Sequence, residues 1–314
     1  MHVQEINPNN REEFFKLQKL SNEVYSSEEW VNAYPESIKC FGIFKDSQQL
    51  VGGFVAYEAE KKGIKMLITP PFASHVGWFF NSAKSAQAKL NSERKDSIQA
   101  IADFLQNSNY KYFKLEFGKD AEDMQPFIWK KFKVEVKYTY VVDLLQSEAD
   151  LLAHLDPKLR NKLNKDSKEF SWDESKNPDA SFRLFSETLK RSGVHFNAEV
   201  LKALLKSPIL HPIYAKQNDT EIAMACFAGQ GNRCYYLFGS IDRNNTDNSL
   251  GPKSIWNAMI SAKKMGFELF DMEGSMVPEI ESYFRQFGGK LENLYTIKGG
   301  RGLWPRLIQW YLNK

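Results

Sequence analysis

The feature that most constrains this chain is a pattern that occurs twice. CFGIFKDSQQLVGGFVAYE, starting at Cys40, is an apolar strand, a polar turn and a second apolar strand; LHPIYAKQNDTEIAMACFAGQ repeats that shape from Leu210, about 170 positions later. Further on, YKYFKLEFG returns as FELFDMEGS, and FIWKKFKVEV as SYFRQFGGKLEN, at a separation nearer 160. The order is kept while the spacing drifts, which is what a duplicated unit with unequal loops produces. Each copy is built the same way: helices first, then a hairpin, then strands alternating with helices. In the first half a helix follows Asn10, with Phe14, Leu17 and Leu20 on one side. The strand IKMLITPPF stops at Pro70 and Pro71, and a helix opened by Ser92 covers SERKDSIQAIADFLQNS. In the second half Ser147 opens the first of several helices that precede the hairpin. The expected division is an N-terminal domain over residues 1–144 and a C-terminal one over 145–314.

Within the second copy, Asn232 to Phe287 spells out a crossover. NRCYYLFGSID has the composition of a buried strand, RNNTDNSLG is a loop, and Ile255, Trp256, Met259 and Ile260 recur at helical spacing until Gly266. Pro252 suits the first helical position. Phe267 to Met272 is then the next strand. A strand, a loop opening a helix and a following strand leave unpaired helix amides facing the loop mouth, where a phosphate or carboxylate can bind.

Composition removes several function classes. Apolar residues at 42% and aromatics at 14% fill a large core, so disorder is excluded. A net charge of +3 is too small for a protein that wraps duplex DNA. Cys40, Cys226 and Cys234 are scattered and odd in number, as in a reducing compartment. With no apolar run long enough to span a bilayer and no cleavable leader after Met1, the expectation is a cytoplasmic protein. No His, Cys, Asp and Glu cluster has metal-ligand spacing, so no metal is expected.

The duplicated order of helices, hairpin, strand, helix, strand, helix and strand resembles a tandem of the GNAT acetyltransferase fold. The second half is more specific. YTYVVDLLQSEADLLAHLDPKLRNKLNKDSKE, a helix ending in RSGVHF, and LFDMEGSM before a helix ending in FRQFGG together resemble the Fem-like branch, the aminoacyl- and peptidyl-transferases with doubled domains and their uncharacterised bacterial acetyltransferase relatives. TPPFASHVGWFF in the first half resembles a Pro-aromatic stretch of the same group. The resemblance implies an α/β protein of two tandem GNAT-like (acyl-CoA N-acyltransferase fold) domains, with mixed central sheets flanked by helices. It also implies an acyltransferase moving an acyl or aminoacyl group onto an amine, on a small molecule or a cell-wall precursor. The donor it implies is acetyl-CoA or another acyl-CoA, or aminoacyl-tRNA. Acetyl-CoA-dependent members carry a basic, glycine-rich loop before the crossover helix, whereas here TDNSLGPKS has only Gly251 and then Pro252. Fem-type enzymes also lack the full signature, so the departure leans towards them. The alternatives are an acetyl-CoA-dependent N-acetyltransferase of a small amine or amino sugar, and a non-catalytic ligand-binding tandem.

Acyl transfer to an amine needs a held donor, a deprotonated amine and a stabilised oxyanion. Gly251, Lys253 and Ser254 at the helix start are the donor-binding candidates, or else a capped surface helix with a solvated lysine. Two-residue alternation places Asp271 and Glu273 on one side of a strand. Glu273, before Gly274 and Ser275 at a tight turn, is the base or substrate anchor, or else a capping or lysine-paired carboxylate. Ser275 bonds substrate or caps the next helix; Tyr235, Tyr236, Tyr283 and Phe284 fill core or line the cleft, and of these Tyr236 is the one to aim a hydroxyl at the reacting group. His195, in RSGVHF, lies where the family places substrate contacts, or else is a structural histidine. Lys158, Arg160, Lys162, Lys165 and Lys168 against Asp166 form the densest basic stretch, a helix with Leu155, Leu159 and Leu163 on its other side. It is suited to tRNA or coenzyme A phosphates, or is a solvated face. The C-terminal run RGLWPRLIQWYLNK is an amphipathic helix that docks on its own domain or lies at a membrane surface.

Overall fold

The computed structural model describes residues 1–34, 37–46, 48–61, 63–82, 86–164, 170–193 and 195–300. Lys165, Asp166, Lys168 and the C-terminal amphipathic run lie outside these residues. The chain is α/β, with mixed strands and flanking helices, and it divides into two compact units: Met1–Lys137 together with the chain from Asn293, and Tyr138–Glu292.

In the first unit β1 (His2–Glu5), α1 (Glu12–Gln18) and α2 (Glu28–Val31) precede the hairpin of β2 (Ile38–Lys45) and β3 (Gln49–Lys61). Then come β4 (Ile64–Ile68), the short β5 (Phe79–Phe80) on β3, α3 (Gln87–Asn107), β6 (Tyr112–Phe117) and α4 (Gln125–Trp129). Adjacent strands run β1-β2-β3-β4-β6, and all pairs are antiparallel except β4 with β6, which α3 joins as a crossover. Tyr295–Gly299 then pair antiparallel with Phe113–Phe117. Ile98, Ile101 and Leu105 of α3 press into Phe41, Phe54, Phe113 and Phe117. The helix begins before Ser92, which is not its cap: Ser92 Oγ donates to Ala88 O within the helix.

β7 (Lys133–Asp143) carries the chain into the second unit. There follow α5 (Glu148–His154), capped by Ser147, α6 (Pro157–Asn164), β8 (Ser171–Asp173), α7 (Pro178–Arg191) and α8 (Ala198–Lys206). The hairpin of β9 (Leu210–Gln217) and β10 (Thr220–Gln230) leads to β11 (Arg233–Ile241), α9 (Leu250–Lys264), β12 (Leu269–Asp271), α10 (Pro278–Arg285) and β13 (Lys290–Gly299). Here the order is β7-β12-β11-β10-β9-β8, again with one parallel pair, β11 with β12, joined through α9. Hairpin, strand, crossover helix and parallel strand thus occur in both units. The core packs Ile255, Ala258 and Met259 of α9 over Phe227 and Phe270, with Leu155 and Leu159 filling in from the α5–α6 side as their spacing predicts.

Candidate functional site

β11 runs to Ile241, but only Arg233–Tyr235 pair with β12, which ends at Asp271. On its other side, Cys226 of β10 opposes Phe238 and Phe227 opposes Tyr236, a bulge that leaves Leu237 unmatched and re-aims the strand. Past that point a cavity of about 440 Å³ opens. Tyr236, Gly239, Ser240 and Ile241 of β11 form one wall, Gly251, Ser254 and Ile255 of α9 a second, and Tyr283 of α10 a third. Lys162 of α6 and Thr188 and Arg191 of α7 contribute the cationic and hydroxyl side.

Local sequence explains how α9 presents its start. Asp242, Asn245 and Asp247 accept the N–H groups of Asn244, Asp247 and Ser249, so Asx turns shape the loop where a glycine-rich segment was absent. The helix then begins at Leu250, two residues before the expected start at Pro252. Leu250 N–H bonds Asp247 O, Lys253 N–H bonds Ser249 O, and Pro252 has no N–H. That leaves the Gly251 amide as the first-turn donor with no partner among the described residues. A methyl on Gly251 would lie 3.3 Å from Ile241 Cδ1 and 3.5 Å from the Tyr283 hydroxyl. A methyl on Gly239 would collide with the hydroxyl of Tyr236. Glycine at position 239 therefore makes room for the Tyr236 phenol, whereas at 251 a methyl would only touch the Tyr283 hydroxyl in ordinary contact.

Neither Tyr236 nor Tyr283 has a hydrogen-bond partner for its hydroxyl among the described residues. Burial pushes both phenols well above the usual tyrosine range, so each is a neutral O–H donor. Tyr283 stands edge-on to Phe287 at 5.6 Å, and Tyr236 edge-on to Phe284 at 6.0 Å, which fixes the rings. On the far side Arg191 donates to Thr188 Oγ1 at 2.8 Å, and Thr188 and Ser240 share a hydrogen bond at 2.7 Å. The described lining contains no Asp, Glu or His. The wall is one of donors and cations, suited to an anion or to a carbonyl oxygen gaining charge.

Of the residues expected from sequence, the cavity brings together Tyr236, Gly251, Ser254 and Lys162. Lys253 is 6% exposed and off the lining, so it is not the solvated lysine of a surface helix. Lys158 and Arg160 are on α6 away from the lining, and His195 is exposed between α7 and α8. The alternation that aligned Asp271 with Glu273 does not apply, because the strand ends at Asp271 and Glu273 is in the left-handed region at φ 55°. Asp271 is 2% exposed and fully engaged: Oδ1 accepts from Thr139 Oγ1 and Glu273 N–H, and Oδ2 from Arg233 at 2.6 Å. Glu292 holds the same guanidinium at 3.0 Å. Gly274 follows at φ 56°, pressed on Tyr138 O so closely that no side chain fits. Ser275 Oγ accepts the Val277 N–H ahead of α10. Sequence reasoning missed Arg191, Thr188 and Ser240 as site residues and assigned Tyr283 to core or cleft without a role. Among the described residues no group of three or more His, Cys, Asp or Glu is placed to hold a metal, and no helix is long and apolar enough to cross a membrane.

The comparison with solved structures decides the fold. FemX matches over 94% of this chain and 97% of its own at a TM-score of 0.64 and 12% identity. The chain has the fold of FemX. The C-terminal domain of a putative lysylphosphatidylglycerol synthetase from Agrobacterium fabrum shares it (TM-score 0.60, 10% identity, 94% of this chain and 93% of that one). So does L-PGS from Bacillus licheniformis (0.57, 13%, 96% and 97%). No family model matches the sequence, and no curated protein matches it. At these identities the likeness establishes the fold and leaves the chemistry to the site.

Proposed function

We propose that this protein is an acyltransferase that moves an acyl or aminoacyl group onto an amine, its two units being tandem GNAT-like domains and its donor site the cavity of the second. The observation that carries this reading is the cavity wall without carboxylates: two neutral tyrosine hydroxyls and the Gly251 amide, without partners among the described residues, beside Lys162 and Arg191. Attack of a neutral amine on the donor carbonyl builds an oxyanion, which those groups are arranged to stabilise. As the intermediate collapses, the bond to the donor oxygen or sulfur breaks and Tyr283 gives that atom its proton. Lys162 and Arg191 hold the donor's phosphates, with Ser254 at the same helix start. The amine's own proton goes to Glu273, outside the donor wall at the turn after β12, with Ser275 beside it. His195 contacts the acceptor, a small-molecule or cell-wall-precursor amine.

The Fem-like fold favours aminoacyl-tRNA as donor, and Lys158 and Arg160 then extend the phosphate contacts of Lys162 along α6. Acetyl-CoA is the second donor to test. The experiment titrates the full chain with coenzyme A, acetyl-CoA and aminoacyl-tRNA, then assays transfer to a panel of amines. Saturable binding of one donor, weakened by Lys162→Glu and Arg191→Glu, supports the reading and identifies the donor. A folded protein that binds none of them, or binds without transferring to any amine, overturns it in favour of a non-catalytic module.

A further inference from the structure

The first unit has its own cavity, of about 410 Å³, between α3 and the segment joining β6 to α4. Its charges are arranged differently from those of the second unit. Arg94 stands on the α3 wall, and Asp120 and Glu122 on the opposite one. None of the three has an ion pair or a side-chain hydrogen bond among the described residues. Lys95, by contrast, is already matched, to Asp123 at 3.2 Å and Gln125 Oε1 at 2.8 Å, and so leaves no charge to spare. The cavity also touches Trp78, which is 5% exposed and stacked on Phe80, and whose indole N–H is enclosed without an acceptor among the described residues. A buried indole N–H normally finds a partner.

Unmatched charges of opposite sign on facing walls fit a ligand that carries both signs. We propose that this cavity binds a small zwitterion, a free amino acid or short peptide. Its carboxylate lies against Arg94 and the Trp78 indole, and its ammonium is held by Asp120 and Glu122. Arg94 supplies planar, paired donors for a carboxylate, and two carboxylates suit an ammonium that has three donors. The assignment rests on the first unit alone and holds whether or not the second transfers acyl groups.

The test uses the full chain, with calorimetry and tryptophan fluorescence as readouts and L-alanine, L-lysine and dialanine as probes. N-acetyl-L-alanine, which lacks the ammonium, and L-alaninamide, which lacks the carboxylate, are the half-ligands. A zwitterion should bind saturably, and the half-ligands at least about tenfold more weakly. Arg94→Gln should cost a similar factor for the zwitterion and nothing further for L-alaninamide. The pair Asp120→Asn with Glu122→Gln should do the converse with N-acetyl-L-alanine. These side chains are exposed, so the melting temperature should stay unchanged and separate lost binding from lost fold. Tyr283→Phe should leave this binding unaltered. No saturable binding of any zwitterion up to about 10 mM, equal binding of the half-ligands, or binding that survives all three charge changes would overturn the proposal.

Discussion

The two units share an order of elements, and their polar interiors solve different problems. In the first, Ser74, His75 and Glu23 form a tie: His75 Nε2 meets Glu23 Oε2 at 2.8 Å, His75 Nδ1 meets Ser74 Oγ at 2.9 Å, and Glu23 Oε1 takes the Tyr25 N–H at 3.0 Å. That tie fastens the 70–80 segment onto the 24–26 turn that precedes α2. In the second unit the network of Thr139, Asp271, Arg233 and Glu292 fastens the left-handed turn at Glu273 and Gly274 to β7 and β11. The first holds a connection, the second the end of the crossover strand. A duplicated backbone order therefore does not imply a duplicated site.

The largest effect that would sharpen this contrast is on stability. Asp271→Ala leaves Arg233 buried with one carboxylate instead of two, and should cost about 3–5 kcal/mol in chemical denaturation. If instead stability is kept while transfer is abolished, Asp271 belongs to the chemistry and the contrast fails. Next comes Tyr283→Phe, which removes one hydroxyl and leaves the ring contacts in place. Transfer should fall about 100-fold with donor affinity unchanged, since the proton or hydrogen bond is used after binding. An unchanged rate would remove Tyr283 from the mechanism and leave the cavity as a binding site.

The fold was more legible than the site because it is written locally. Alternating strands, polar turns and the helical spacing of Ile255, Met259 and Ile260 locate the crossover without knowledge of any contact. The rule of alternation failed at Glu273 because a strand's end is set by its neighbours: β7 pairs with β12 only through Leu269–Asp271. Ser92 and Pro252 failed as helix starts for a related reason. Serine inside a helix can bond backward to a carbonyl, as Ser92 does, and proline fits anywhere in a first turn whose amides are unpaired. Arg191, Thr188 and Tyr283 reach the cavity from α7 and α10, far from the motif in sequence. The one signal within reach was position: Arg191 closes the helix whose end, RSGVHF, drew notice to His195.

A smaller effect tests the tie in the first unit. Glu23→Ala strips partners from His75 and from the Tyr25 amide, both buried, and should cost about 2 kcal/mol. Equilibrium unfolding followed by a probe in each unit should show the loss in the first unit's transition. A loss shared equally by both transitions would mean that the units unfold as one.

The smallest expected effect is a difference in acid sensitivity. In the second unit burial, aided by Lys176, lowers His211 to about 4. A histidine with a lowered folded pKa favours the neutral native state, so its contribution is complete above the unfolded value, about 6.5, and is lost as pH falls towards 4. In the first unit hydrogen bonds from Lys133 and Lys298 hold Glu135 at about 2. Its contribution is present above the ordinary carboxylate range, about 4.3, and disappears only as pH falls towards 2. Melting curves read in each unit should therefore begin to drop in the second unit, between about pH 6.5 and 4.5, while the first still holds. His211→Asn should flatten that early slope and leave the later one untouched. If the slope in this window survives the substitution, the early loss belongs to another group and the two units do not differ in the way these two groups imply.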